Sequence, residues 1–114
     1  MDFTGKTIII TGSGGGIGEG YAKACADKGM NVIIAELNSE AGNRVADEIN
    51  KGGGKALFIQ TDVSVESSAK ACADQTVEAF GEINYLVNNA AIFGDMKIEG
   101  YLNCLLYTSP SPRD

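Results

Sequence analysis

The chain has 114 residues, enough for one small domain with a single core and too few for a second domain. Its apolar fraction of 44% and charged fraction of 21% are typical of a globular chain and exclude extensive disorder. The net charge of -6 disfavours nucleic acid and anionic membrane surfaces as partners, because both would repel it.

Cysteine and histidine usage limits the metal and redox chemistry of the chain. The cysteines are Cys25, Cys72 and Cys104, none of them in a CxxC pair, and histidine is absent. This composition favours neither a disulfide framework nor a zinc site and fits a reducing cytoplasm. The first apolar run is too short for a signal peptide or a membrane span. We therefore expect a cytoplasmic protein with no metal site.

The first predicted strand and helix are joined by a cluster of glycines. Residues 6–11 (KTIIIT) form a β-branched run, which is typical of a buried parallel strand. Residues 17–28 carry apolar side chains at helical spacing, and Gly29 can end that helix. The residues predicted to share one face are Ile17, Tyr21, Ala24, Cys25 and Lys28.

A second strand and helix follow at once. Residues 31–36 (NVIIAE) predict the strand, and either Asn38 or Ser39 can cap the helix after it. The apolar positions of that helix recur at helical spacing, and residues 52–54 end it. They are Ala41, Val45 and Ile49.

The third strand is predicted over residues 56–61, and either Asp62 or Ser64 can start the helix after it. That helix has the clearest apolar stripe, formed by Ala69, Cys72, Ala73, Thr76, Val77 and Phe80. Residues 83–87 predict the fourth strand. Strands and helices alternating in this way, with right-handed crossovers, predict an α/β fold whose parallel sheet has helices on both faces.

The end of the chain shows no helical or strand periodicity. A flexible terminus is one interpretation of residues 101–114, which are rich in Ser and Pro towards their end. However, a back-translation of Cys104 to Asp114 resembles a transposon-type sequencing-library adapter over its whole length. We therefore expect a partial domain over residues 1–103 and a non-native tail over residues 104–114.

Residues 11–18 (TGSGGGIG) lie between the first predicted strand and helix. Gly12 would permit a tight turn, Gly16 would let the backbone approach a pyrophosphate, and Gly18 would let the helix pack closely. The N-terminus of the helix would offer N–H groups and a partial positive charge to phosphates. A glycine-rich turn without a ligand is the alternative.

Polar residues follow the other predicted strands. Glu36 ends the second strand, where a carboxylate can accept hydrogen bonds from ribose hydroxyls; an ordinary solvated glutamate is the alternative. Asp62 follows the third strand as either a ligand contact or a helix cap. Asn88-Asn89-Ala90-Ala91 follows the fourth strand, where the small residues leave room for a ligand and the amides could instead cap a loop.

In this order and spacing, TGSGGGIG, Asp62-Val63 and Asn88-Asn89-Ala90-Ala91 resemble the short-chain dehydrogenase/reductase motifs TGxxxGxG, Asp and NNAG. The resemblance covers residues 3–103, with Ala91 in place of the usual glycine. It implies a Rossmann-type, doubly wound parallel sheet of order 3-2-1-4, truncated after the fourth strand, that binds NAD. The positions matching the family's cofactor contacts are Gly12, Ser13, Gly16, Ile17, Gly18, Glu36, Asp62, Val63, Asn89 and Ala90.

The resemblance also implies a homo-oligomeric parent enzyme that transfers hydride between NAD and a small-molecule alcohol or carbonyl substrate. The family's chemistry needs a Tyr-x-x-x-Lys pair beyond the fourth strand, and no tyrosine of this chain has a lysine four residues later. We therefore assign no catalytic residue and expect an inactive fragment. Two alternatives are a non-catalytic dinucleotide-binding member of the family and a fragment of a class I methyltransferase. The TGxxxGIG spacing and the Asn-Asn-Ala-Ala segment speak against the methyltransferase.

Overall fold

A computed structural model describes residues 2–89, in which four strands alternate with three helices. The elements are β1 (Thr7–Thr11), α1 (Gly16–Asp27), β2 (Asn31–Glu36), α2 (Ser39–Lys51), β3 (Lys55–Gln60), α3 (Glu66–Phe80) and β4 (Tyr85–Val87). This order confirms the predicted α/β succession. The predicted cofactor contact Ala90, the domain boundary at Asn103 and the tail over residues 104–114 lie outside the described residues and stay predictions.

The four strands form one parallel sheet of order β3-β2-β1-β4, which confirms the predicted Rossmann-type order 3-2-1-4. Ile9 of β1 lies opposite Ile33 of β2 on one side and Leu86 of β4 on the other. All residues of β1 are buried, whereas the residues of β3 at the edge are mostly exposed or half-buried. The β-branched run of β1 therefore occupies the sheet centre, where both faces are covered.

Successive residues of each strand contact opposite faces of the sheet, and each face has its own core. Ile9 and Ile33 pack on the face covered by α3, while Ile10 and Ile34 pack on the face covered by α1 and α2. The predicted apolar stripe of α3 is confirmed. Its buried positions are Ala69, Cys72, Ala73 and Thr76, with Val77 and Phe80 partly buried against the same core.

The predicted apolar face of α1 is wrong. Ile17 is 70% exposed and Tyr21 is 50% exposed, while the fully buried residues of this helix are Gly18 and Ala22. The helix lies so close to the sheet and the turn before it that only small side chains fit between them. Residue size, rather than apolar character, therefore decides which side of α1 faces inward.

The start of α3 also differs from the prediction. The helix begins at Glu66, and neither Asp62 nor Ser64 caps it. Instead, Asp62 Oδ1 accepts hydrogen bonds from the N–H of Ser64 at 3.0 Å and from its hydroxyl at 2.6 Å. The N–H of Val65 donates to the Asp62 carbonyl at 3.0 Å. Asp62 thus builds a separate turn between β3 and the helix.

Four charged side chains connect α1 to α2. Lys23 Nζ lies 2.7 Å from Glu19 and 2.6 Å from Glu48. Arg44 donates to both oxygens of Glu19, at 3.0 and 3.3 Å, and to Glu48 at 3.1 Å. Hydrogen bonds from Arg44, and then from Lys23, lower the pKa of Glu19 to about 2. The four charges form an ion-pair network that holds the two helices side by side.

One edge of the described sheet is formed by β3 and the other by β4, which among residues 2–89 pairs with β1 alone. Tyr85 of β4 is 39% exposed, and its ring contacts Phe3 edge to face at a centroid distance of 5.8 Å.

None of the described helices is long and apolar enough to cross a membrane. The described residues also contain no group of three His, Cys, Asp or Glu side chains able to hold a metal ion.

Truncating Ile33, which is fully buried at the sheet centre, tests the packing of the core. We expect Ile33→Ala to lower the free energy of unfolding by about 2–5 kcal/mol, because a cavity remains when a buried isoleucine is cut back. Leu37→Ala is the matched control, since Leu37 is 57% exposed, and should change it by less than about 0.5 kcal/mol. Urea denaturation of both variants measures the difference, and equal losses would contradict the burial of this strand.

Acid should weaken the ion-pair network through Glu19. Its pKa lies at about 2 in the folded chain, below the ordinary 4.5, so its contribution to stability is present above about pH 4.5. That contribution is lost as the pH falls towards about 2. We expect Glu19→Gln to lower stability at neutral pH and to flatten its decline in this range. Asp74→Asn, which removes the carboxylate of the exposed Lys70–Asp74 pair at 3.2 Å, is the control and should leave the decline unchanged. Denaturation midpoints across pH measure both.

Candidate functional site

The candidate site lies at the carboxyl end of the parallel strands, where the chain leaves β1 for α1. Parallel strands place their carboxyl ends at one edge of the sheet, which is where ligands of this kind of fold bind. Thr11 ends β1 and Glu36 ends the adjacent strand β2. Asn89 follows β4, which lies on the other side of β1. The loop over residues 12–15 crosses between them.

Two of the predicted glycines hold backbone conformations that other residues rarely adopt. Gly12 has φ +64° and Gly16 has φ +57°, both in the left-handed region. The N–H of Gly12 donates to the carbonyl of Ala35 at 2.9 Å, which pins the turn to the end of β2. A Cβ added at Gly16 would meet nothing within 4 Å, so the space in front of this residue is open.

Gly18 has a different requirement, which is lack of space. A Cβ at this position would lie 2.3 Å from the carbonyl oxygen of Gly12 and 2.6 Å from Nδ2 of Asn89. The first turn of α1 therefore packs directly on the loop. Its N-cap is Gly15, and no side chain makes a capping hydrogen bond there. The N–H groups of this turn are thus available to an anion.

Asn88 and Asn89 connect the end of β4 to the glycine loop. The N–H of Asn89 donates to the Thr11 hydroxyl at 2.9 Å, and its side-chain amide donates to the Gly12 carbonyl at 3.2 Å. Thr11 in turn lies 3.2 Å from Oδ1 of Asn88. These contacts match the loop-capping alternative for the asparagine pair, and they fix the carbonyl of Gly12 against the helix.

Glu36 is half-buried beside the loop, with both carboxylate oxygens bonded to backbone. Its Oε1 accepts from the N–H of Gly14 at 2.9 Å, and its Oε2 accepts from the N–H of Asn38 at 3.0 Å. No described ion pair includes it. The carboxylate is therefore held in one place without a cation to neutralise it.

Sequence reasoning missed Gly14, which the structure places against Glu36. A Cβ at Gly14 would lie 2.8 Å from Cγ and Oε1 of Glu36 and 2.9 Å from Cβ of Ala41. The glycine run over residues 14–16 was the available signal. This run does not show that Gly14 is required because a side chain would collide with its neighbours, whereas Gly16 is required because of its positive φ.

Arg44 was also missed. Its Nη2 donates to the carbonyl of Gly14 at 3.2 Å while the same guanidinium holds Glu19 and Glu48. The spacing of Glu40, Arg44 and Glu48 by four residues indicated a charged helix face, but not that this face reaches the loop.

Of the two predicted caps of α2, the structure selects Asn38, whose side chain accepts from the N–H of Ala41 at 3.0 Å.

The other predicted contacts are less closely joined to the loop. Ser13 is fully buried and its hydroxyl donates to the carbonyl of Ile10 at 2.7 Å, so only its backbone can face a ligand. Ile17 is 70% exposed at the start of α1. Val63 packs against the core on the α3 face. Hydrogen bonds from the Ser64 side chain and backbone hold the pKa of Asp62 below its usual value, so it is a carboxylate at neutral pH.

Comparisons with known proteins show which family the chain resembles. The sequence pattern described as short chain dehydrogenase matches residues 6–104. An uncharacterized oxidoreductase of Mycobacterium tuberculosis is 47% identical over 108 residues, covering 95% of this chain and 42% of that protein. The 7alpha-hydroxysteroid dehydrogenase of Escherichia coli is 41% identical over 86 residues, covering 75% of this chain and 34% of that protein.

A solved structure shows the same fold. The crystal structure of a short chain dehydrogenase/reductase from Burkholderia phymatum in complex with NAD has a TM-score of 0.88 and 26% identity. The alignment covers 96% of this chain and 46% of that one, so the chain spans less than half the length of these relatives. The methyltransferase alternative is therefore wrong. The chain belongs to the short chain dehydrogenase family.

Proposed function

We propose that this chain is the NAD-binding part of an oxidoreductase that transfers hydride between NAD and an alcohol or carbonyl substrate. The observation that carries the proposal is the bond from the Gly14 N–H to Glu36 Oε1, at 2.9 Å. It places a fixed carboxylate beside a glycine turn and a helix N-terminus. Ribose hydroxyls and a diphosphate are the groups that this combination recognises.

The described residues fit a dinucleotide in three respects. The backbone at Gly16 faces open space, and the first turn of α1 has no side-chain cap, so N–H groups can approach a diphosphate. Glu36 has no cationic partner among the ion pairs of residues 2–89, so it can accept hydrogen bonds from a ribose. We assign binding roles to the site residues predicted from the sequence, with Ser13 acting through its backbone.

The relatives support the reaction class. The related protein from Escherichia coli is named a dehydrogenase, and the related structure from Burkholderia phymatum holds NAD. When bound, NAD would supply the hydride acceptor, and this chain's residues would orient its adenosine and diphosphate. The Tyr-x-x-x-Lys pair that the family resemblance implies as general acid/base is absent from the 114 residues. We therefore propose that the remainder of the parent protein supplies the acid/base chemistry.

The finer properties of the parent protein are proposals as well. Its substrate is a small-molecule alcohol or carbonyl compound, in keeping with the dehydrogenase name of its relative. A cytoplasmic location agrees with a sequence of three cysteines, none of them in a CxxC pair. We also propose a homo-oligomeric parent, on the strength of the family resemblance.

The cofactor preference should be for NAD over NADP, because the 2′-phosphate would meet the carboxylate of Glu36. Two like charges about 4 Å apart repel by about 4 kcal/mol at an effective dielectric of about 20, an upper estimate for a half-buried group. No Lys or Arg occupies residues 13–15 or 37–39 to offset this. We expect ADP-ribose to bind at least about tenfold more tightly than its 2′-phosphorylated form.

The charge on Glu36 can be separated from its hydrogen bond to Gly14, though not from the one to Asn38. Glu36→Gln keeps an acceptor for the Gly14 N–H and removes the charge, so it should narrow the ratio of the two dissociation constants. Glu40→Gln removes a carboxylate from the first turn of α2 and should leave the ratio unchanged. NMR titration of both ligands measures the ratio. Equal binding of the two ligands by the unmodified chain would contradict this preference.

The 114-residue chain should show no oxidoreductase turnover by itself. It lacks the Tyr-x-x-x-Lys pair, and proton transfer by a positioned group typically contributes about 10²–10⁴ in rate. The measurement is the absorbance of the reduced cofactor when the chain is mixed with NAD and a panel of alcohols. The Escherichia coli 7alpha-hydroxysteroid dehydrogenase with its own substrate is the positive control. Turnover of any alcohol by the purified chain would contradict the assignment of the chemistry to residues outside it.

A further inference from the structure

The backbone of Gly14 is held on both sides of its Cα. Its N–H donates to Glu36 at 2.9 Å, and its carbonyl accepts from Arg44 Nη2 at 3.2 Å. Gly14 is buried, and no side chain fits at this position without displacing Glu36. The N–H belongs to the Ser13–Gly14 peptide and the carbonyl to the Gly14–Gly15 peptide, so the two bonds fix consecutive peptides. The backbone conformation of Gly14, which joins them, therefore sets where the carboxylate of Glu36 is anchored.

Arg44 is itself fixed by two acidic side chains. Its two Nη atoms donate to both oxygens of Glu19, and Nη1 also donates to Glu48. A planar guanidinium can bind a carboxylate through two parallel bonds and still donate to a third acceptor, which an ammonium group does with less directional control. Because its other bonds come from α1 and α2, Arg44 ties both helices to the loop.

We propose that Arg44 is a positioning residue for nucleotide binding: it holds the carbonyl of Gly14 and thereby the backbone conformation that presents the Gly14 N–H to Glu36, so that Glu36 stays where the ribose is bound. The inference rests on the proposed function for the role of Glu36. Arg44 does not itself contact the ligand in this proposal; it affects binding through the loop that it holds. Its loss should therefore weaken binding of the adenosine half of the cofactor and loosen the loop, even when the fold persists.

Lys23 provides a matched control within the same network. It pairs with the same two carboxylates as Arg44, at 2.7 and 2.6 Å, and it is exposed to a similar degree, 42% against 47%. The described contacts of Lys23 do not include Gly14. Lys23→Met and Arg44→Met thus remove the same charge from the same network, and only Arg44→Met removes the bond to the loop.

The experiment compares the 114-residue chain with its Arg44→Met, Arg44→Lys and Lys23→Met variants. ADP-ribose is the probe, titrated by ¹⁵N–¹H NMR, and the hydrogen-exchange rate of the Gly14 amide is measured in the absence of ligand. Arg44→Met should weaken binding by about three- to tenfold, within the range for one ordinary intramolecular hydrogen bond, and speed Gly14 exchange by a similar factor. Lys23→Met should change both by less than about twofold.

Arg44→Lys keeps the positive charge but loses the two planar Nη donors, so it should weaken binding of ADP-ribose nearly as much as Arg44→Met. If Arg44→Met does not give a folded spectrum, the comparison of Arg44→Lys with Lys23→Met decides. Equal effects of the Lys23 and Arg44 variants, or full affinity in Arg44→Lys, would overturn the proposal. Failure of the unmodified chain to bind ADP-ribose would instead overturn the proposed function, while Gly14 exchange would still report whether Arg44 holds the loop.

Discussion

The close approach of α1 to the end of β1 is the constraint on which the rest of the site depends. No Cβ fits at Gly18, because it would lie 2.3 Å from the carbonyl oxygen of Gly12. With glycine there, the first turn of the helix rests on the loop, and its unpaired N–H groups lie at the carboxyl edge of the sheet. A bulkier residue would push the helix away and remove the anion-binding geometry without altering the sheet itself.

The parallel sheet brings distant parts of the chain to this turn. Gly12, Glu36 and Asn89 are far apart in sequence, but the order β3-β2-β1-β4 places the ends of their strands side by side. The glycine loop is then held at three points: the Gly12 N–H donates to the Ala35 carbonyl, the Gly14 N–H donates to Glu36, and the Asn89 side chain donates to the Gly12 carbonyl. The topology thus supplies the proximity, and individual hydrogen bonds supply the precision.

The order of elements could be predicted from the sequence, because buried runs such as Ile8–Ile10 and the stripe of α3 are local patterns. The sheet order 3-2-1-4 was predicted from the family resemblance and not from these patterns. The inward face of α1 could not, since Gly18 and Ala22 are selected by lack of space and carry little apolar surface. The start of α3 was misplaced because Asp62 and Ser64, both typical caps, bond each other instead. The contact of Arg44 with Gly14 arises only when α2 packs beside the loop, and no local pattern encodes that distance.

A chain with net charge -6 can still hold a diphosphate because charges act locally. Screening limits exposed charges to about 10 Å at moderate salt, so carboxylates elsewhere on the surface contribute little at the loop. Near the loop, Glu19 and Glu48 are balanced by Lys23 and Arg44. The charges beside the loop that are not balanced in this way are the partial positive charge at the start of α1 and the negative charge of Glu36, at the end of β2. The net charge therefore disfavours a polyanion, which spreads its charge over a long surface, and leaves a site for one small anion with hydroxyl groups beside it.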